Sequence, residues 1–289
     1  MGGLESGVVV GEPLPAGKRS TVRRLSFLVR LHILVHEVSV LDDVVSCAIA
    51  RPRFDGQGNE IFDGKIGIFP FVTQEPARRN SINRLAGTLE TKPLTSVNRD
   101  IMRSYLIEKL LPAIKEKWPR DDMMNPIFIQ QDNARTHVDK NDEAFCEAAR
   151  YGGFDIRLMC QPANSPDLNI LDLGFFSAIQ SLQYKEAPKT VDELISAVAR
   201  SYDSFDVRKS NRIFLSLQLC MIEIMQAKGS NKYKIPHINK AKLENLKELP
   251  SQLKCDSTLV QEVMQILISK TSVTTKFTCN SWKVHLYGC

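Results

Sequence analysis

Several protein classes are excluded by what this chain of 289 residues has little of. Its seven cysteines, at 47, 146, 160, 220, 255, 279 and 289, form no Cys-x-x-Cys pair. An odd, scattered set reads as small apolar side chains in a reducing compartment, not as a disulfide framework or a zinc site. Aromatic residues make up 7%, too few to suggest a stacking platform for single-stranded nucleic acid. With 15 Gly and 14 Pro the chain is neither collagen-like nor of low complexity, and no repeat recurs along it. The longest apolar stretch, Leu25 to Val40, is interrupted by Arg30, His32, His36 and Glu37, so no membrane span is expected. The same interruptions argue against a secretory signal behind Arg23 and Arg24. His32 and His36 lack the Cys or acidic neighbours of a metal set and read as structural.

What is present suits a folded α/β protein. Hydrophobic residues make up 43% and charged residues 25%, and the net charge of +5 leans mildly towards an anionic partner. Residues 1–30 are expected to form a flexible arm, since their first 24 are rich in Gly, Pro, Ser and basic residues without a period. Ile33–Val40, Val44–Ala50 and Lys65–Val72 read as strands, with Pro70 marking an edge or strand end. The stretch 51–59 reads as a turn-rich connection, and a polar stretch with Arg78 and Arg79 precedes a helix over about 97–118, kinked at Pro112. Two strand–loop–helix units follow: Ile127–Gln131 with a helix near 139–151, and Asp155–Cys160 with an apolar helix near 169–184. The expectation is a mixed α/β sheet flanked by helices over 31–185 and a helical extension over 186–270. The extension holds helices near 190–204, 209–227, 239–247 and 256–269, the first opened by a Thr190/Glu193 capping box. Residues 271–289 remain unassigned.

Two carboxylates stand out. Asp132 closes a short apolar strand, and in open α/β sheets functional groups collect at the carboxyl ends of strands. Asp172 falls in the first turns of an apolar helix, where an unpaired charge is costly. Both could simply cap a turn and a helix; alternatively, they could share a hard divalent cation, which takes oxygen ligands. Spacing alone leaves both open.

The segments around them narrow the choice. Gln130-Gln-Asp-Asn-Ala-Arg-Thr-His137 followed by Asn164-Ser-Pro-Asp-Leu-Asn-Ile-Leu-Asp-Leu-Gly-Phe-Phe176 resembles the catalytic core of mariner-like transposases, in particular the plant branch. Ala50–Asp55, Phe62–Pro70, Asn83–Thr91, Ser177–Gln183 and Tyr233–His237 match in the same order, so the resemblance covers about residues 47 to 256. It implies a ribonuclease-H-like fold in which three acidic residues bind two magnesium (or manganese) ions for DNA strand cleavage and transfer. The second acid maps onto Asp132 and the third onto Asp172, with 39 residues between them as in the plant pattern. Asp167 would leave 34, as in animal relatives, but belongs to the Ser-Pro-Asp motif. The resemblance further implies transposon-end DNA as partner, a homodimer on paired ends and nuclear residence.

The family's first acid, in an Asp-Glu-Lys-Trp motif, has no counterpart here, and neither have the paired helix-turn-helix domains that read the ends. A truncated or rearranged, catalytically defective transposase is therefore the leading expectation. A non-catalytic nucleic-acid-binding or interaction module is the alternative. A third expectation is an active nuclease in which Glu37, Asp42 or Asp43 replaces the missing ligand. Arg51, Arg53, Arg78 and Arg79, and Lys232 and Lys234, are the candidate phosphate contacts.

Overall fold

The computed structural model describes residues 25, 34–41, 44–82, 84–183 and 186–271, with the backbone path alone at 34–41, 183, 270 and 271. Of the expected flexible arm, residue Leu25 is described, and it is buried in the core. The rest of that arm, Asp42, Asp43 and residues 272–289 lie outside the described residues.

The strands are β1 (Leu34–Leu41), β2 (Val45–Ala50), β3 (Arg53–Phe54), β4 (Glu60–Phe62), β5 (Lys65–Pro70), β6 (Val72–Pro76), β7 (Leu89–Pro93), β8 (Ile127–Gln131) and β9 (Ile156–Cys160). The main sheet has the order β5-β2-β1-β8-β9. β1 and β5 each pair antiparallel with β2, while β8 runs parallel to both β1 and β9. An antiparallel meander whose first strand is central, extended by two parallel strands, is the ribonuclease-H-like arrangement. Pro70 ends the edge strand β5, where its missing N–H breaks no ladder.

Helices cover both faces of the sheet, so β2 is buried along its whole length instead of alternating. Its Val45, Cys47 and Ile49 enter one core; Ala48 and Ala50 enter the other. The second core is closed by α1 (Arg99–Tyr105), α2 (Leu111–Lys117) and α3 (Glu143–Arg150). Between α1 and α2 the chain makes a π-turn, Leu106–Leu110, just ahead of Pro112. Pro112 has no amide to donate one turn back, and the widened turn accommodates that loss. Ser46 on β2 donates to the Tyr105 hydroxyl (2.9 Å), fastening α1 to the sheet.

The first core is closed by α4 (Phe176–Gln183), α5 (Val191–Asp203), α6 (Val207–Gln226) and α8 (Ser257–Thr271). A short α7 (Lys240–Asn245) lies between the last two. Thr190 caps α5 by accepting from Glu193 N–H (3.2 Å), while the Glu193 carboxylate accepts from Lys189 N–H, one residue earlier than a capping box requires. Tyr202 on α5 donates to the Ala48 carbonyl (2.8 Å), so the helical extension and the sheet share one core. Among the described residues no helix is long and apolar enough to cross a membrane.

Two stretches read as irregular are hairpins. β3 and β4 pair within the turn-rich connection, and β6 with β7 form a two-stranded ribbon across the polar stretch. Val72–Pro76 and Leu89–Pro93 bury no face, so they carry no alternating signal to read.

The turn that starts the apolar helix is also distinctive. Leu171–Phe175 forms a π-turn in which Gly174 takes φ 151° and ψ −10°, a conformation open to glycine. A Cβ there would meet Ile213 only at 3.9 Å, so substitution strains the backbone without a clash. Gly174→Ala is expected to lower stability by about 1–3 kcal/mol, read as a lower urea midpoint at unchanged m-value.

Candidate functional site

The carboxyl ends of β8 and β9 carry the site. Asp132 follows the last residue of β8 and its Oδ1 accepts from Ala134 N–H (2.7 Å), closing a tight turn. His137 returns beneath it: its Nδ1 lies 3.1 Å from the Asp132 carbonyl and 3.1 Å from Oδ1. The imidazole side chain is 7% exposed and the Asp132 side chain 41%, so the histidine props the carboxylate from the protein side and leaves it open to solvent. Arg99, at the start of α1, donates to the carbonyls of Arg135 and His137 (3.2 Å each) and braces this loop.

The second loop is held to the first by buried amides. Gln161 N–H donates to the Gln131 carbonyl (2.7 Å), and the Gln161 side chain donates to the Ser165 carbonyl (2.7 Å). Gln130 donates to the Gln161 side chain (3.1 Å) and to the Leu168 carbonyl (3.0 Å), while Asn133 donates to the Gln161 carbonyl (2.9 Å). Loops without regular structure satisfy their polar groups this way when strand ends bury them. The Gln-Gln-Asp-Asn and Asn-Ser-Pro-Asp segments are thus one assembly. Sequence reasoning missed these three side-chain amides as site-builders; paired glutamines inside an apolar strand were the available signal.

Asn169 then caps the π-turn by accepting from Leu171 N–H (3.1 Å), and Asp172 is its second residue. Asp172 is exposed, not buried with the apolar face of its helix. Partial desolvation first, and the negative charge of Asp132 second, raise its carboxyl from the usual value, against a hydrogen bond from Asn169. The two acids are therefore near enough to repel. Oxygen donors of like charge brought together at a solvent-open sheet edge suit a hard divalent cation, which would relieve the repulsion. Asp167 is turned elsewhere, accepting from the Tyr233 hydroxyl.

The other candidates separate. Glu37 occupies a β1 position in register with Ala48, which belongs to the core opposite the Asp172 turn. The β1–β8 register runs from Leu34↔Phe128 to His36↔Gln130; continued by two residues, it sets Val38 level with Asp132. Val38 pairs with Cys47, whose side chain lies in the same core as Leu171 and Phe175. Among the described residues no group of three His, Cys, Asp or Glu side chains is placed to hold a metal ion.

Of the basic candidates, Arg51 and Arg53 have internal partners instead of an open surface. Arg51 donates to the Ser251 carbonyl and the Gln252 side chain, and burial together with the Arg53 charge lowers its pKa to about 10. Arg53 pairs with Asp122 (2.5 Å) and lies over the Trp118 and Phe62 rings, 5.1 and 5.8 Å from their centroids. Arg78, Arg79, Lys232 and Lys234 are exposed.

Fold and site together define a ribonuclease-H-like domain with a paired-carboxylate edge. Comparison with solved structures finds the Mos1 transposase catalytic domain with raltegravir and manganese, at 15% identity over 76% of this chain and 100% of that one, TM-score 0.48. It also finds the Mos1 mariner paired-end complex with manganese, at 17% identity over 80% of this chain and 68% of that one, TM-score 0.45. No protein-family model and no curated protein matches the sequence.

Proposed function

We propose that this chain is a mariner-like transposase core of the plant branch, a DNA-binding domain in which Asp132 and Asp172 hold one divalent cation but which does not cleave DNA by itself. The observation that carries this is the joining of the two motif segments at one sheet edge through Gln130, Gln161 and Asn133. A bound magnesium or manganese ion supplies positive charge beside a phosphodiester and polarises its oxygens. Asp132, held by Ala134 N–H and His137, and Asp172, held by Asn169, orient the ligand oxygens. The β1–β8 register, continued by two residues, sets Val38 level with Asp132, so among the described residues that position supplies no third anionic ligand for a paired metal geometry. Exposed Arg78, Arg79, Lys232 and Lys234 serve as phosphate contacts; nuclear residence and a homodimer on paired ends complete this reading. The same valine favours the second reading, a binding module without chemistry.

Thermal unfolding tests the site. An acid whose pKa is raised on folding contributes stability in its protonated form, and that stability is lost as pH rises above the usual carboxylate value. At neutral pH the ionised pair therefore costs stability, and Asp172→Asn is expected to raise Tm by about 1–3 °C after allowance for solvent screening. Manganese is expected to raise Tm of the native chain and not of that variant. An unchanged apo Tm together with an undiminished manganese response would refute the paired site.

A further inference from the structure

The β6–β7 ribbon carries its tip away from both cores on a fixed base. Phe71 packs on Tyr105 with ring centroids 5.3 Å apart, and Leu94 N–H donates to the Phe71 carbonyl (2.9 Å). At the neck Ala77 is buried, donating to the Thr88 carbonyl and accepting from Gly87 N–H (2.8 Å each). The tip is ordered by its own bonds: Asn80 accepts from Ala86 N–H (2.6 Å), and Ser81 and Arg84 exchange backbone bonds of 2.8 and 3.3 Å.

This ordered tip nevertheless holds apolar side chains in water. Ile82 is fully exposed at 104%, Leu85 at 73% and, at the ribbon's return, Leu89 at 65%. Residues 77–88 contain three arginines and no acid. Arg84 pairs with Glu90, whereas Arg78 and Arg79 have no ion pair among the described residues. A projection with bare aliphatic groups beside the unpaired guanidinium groups of Arg78 and Arg79 marks a contact surface.

Charge chooses the occupant. In a two-fold contact between copies, the same arginines would face one another, and like charges would oppose it. A polyanion satisfies them, and aliphatic groups flanked by arginines are the combination that enters a DNA groove. We propose that the ribbon tip grips duplex DNA, with Arg78 and Arg79 on phosphates and Ile82 and Leu85 seated in the groove. This rests on the DNA-binding part of the function above and is independent of the metal site.

The test is fluorescence anisotropy of the full chain with a labelled duplex of random sequence, in chelator, across a salt series. In Arg78→Ala/Arg79→Ala the slope of log affinity against log salt is expected to become shallower by about 2, roughly 0.9 for each phosphate no longer neutralised. Ile82→Ser/Leu85→Ser should weaken binding severalfold at unchanged slope. Unaltered affinity and slope in the arginine variant overturn the proposal, as does a native chain that fails to bind duplex at low salt. So does an Ile82/Leu85 variant whose only change is a smaller mass by light scattering, which would assign the tip to a second copy. Loss of manganese binding alongside intact ribbon effects would count against the metal site alone.

Discussion

Val38→Asp is expected to bind manganese at least about tenfold more tightly than the native chain, a gain of ~1.4 kcal/mol or more, and to nick supercoiled DNA where the native chain does not. Strand alternation is the reason. The antiparallel pairing sets Glu37 opposite Ala48 and Val38 opposite Cys47, and only Cys47 shares a core with the Asp172 turn. A carboxylate at 37 is thus one residue out of phase, whereas one at 38 is level with Asp132. Two divalent ions bring four positive charges, and Asp132 with Asp172 supply only two negative ones. Glu37→Gln is expected to change neither metal binding nor cleavage. Val38→Asn separates the charge from the change of shape, and circular dichroism confirms that each variant is folded. Native cleavage abolished by Glu37→Gln would reverse the assignment and identify Glu37 as the third ligand.

Phe175→Ala carries the largest expected cost in stability, about 3–5 kcal/mol by urea denaturation. Phe175 is 2% exposed and meets Tyr202 and Phe205 edge-on, with ring centroids 6.2 and 5.1 Å apart. It is also the last residue of the π-turn that carries Asp172, so its removal frees the turn as well as opening a cavity. A domain of typical stability, about 5–15 kcal/mol, would lose a large share of it. Manganese binding should weaken in the variant even under conditions where it stays folded. A cost below about 1 kcal/mol would mean that the turn is not anchored through this ring.

Most of the helices and strands were legible because they bury a stripe or a face, the exposed helix Lys240–Asn245 being an exception. The apolar spacing of Ile101, Tyr105, Leu106, Leu110 and Ile114 is a burial pattern before it is a helix, and four of the five lie buried. The β6–β7 ribbon was not legible, since a strand pair that buries no face leaves no period. Arg51 and Arg53 read as surface charge because their partners, Ser251, Gln252, Asp122 and Trp118, are remote in sequence. At the site, the motifs point to Asp132 and Asp172 across 39 intervening residues, but the repulsion between them exists only once the loops are joined. Those joints are Gln130 and Gln161, both buried, and the exposed Asn133, a role that a polar side chain does not advertise. Glu37 drew attention for its charge; whether a strand residue faces a site depends on register, and register is a property of the partner strand.

Calorimetric titration of manganese into the native chain, Asp132→Asn and Asp172→Asn tests the central claim most directly. One shared ion predicts a single weak site per chain that disappears in both single variants, because neither carboxylate holds a cation without the other. Binding that survives in either variant at native affinity would contradict it, and would return Asp132 and Asp172 to the role of turn and helix caps.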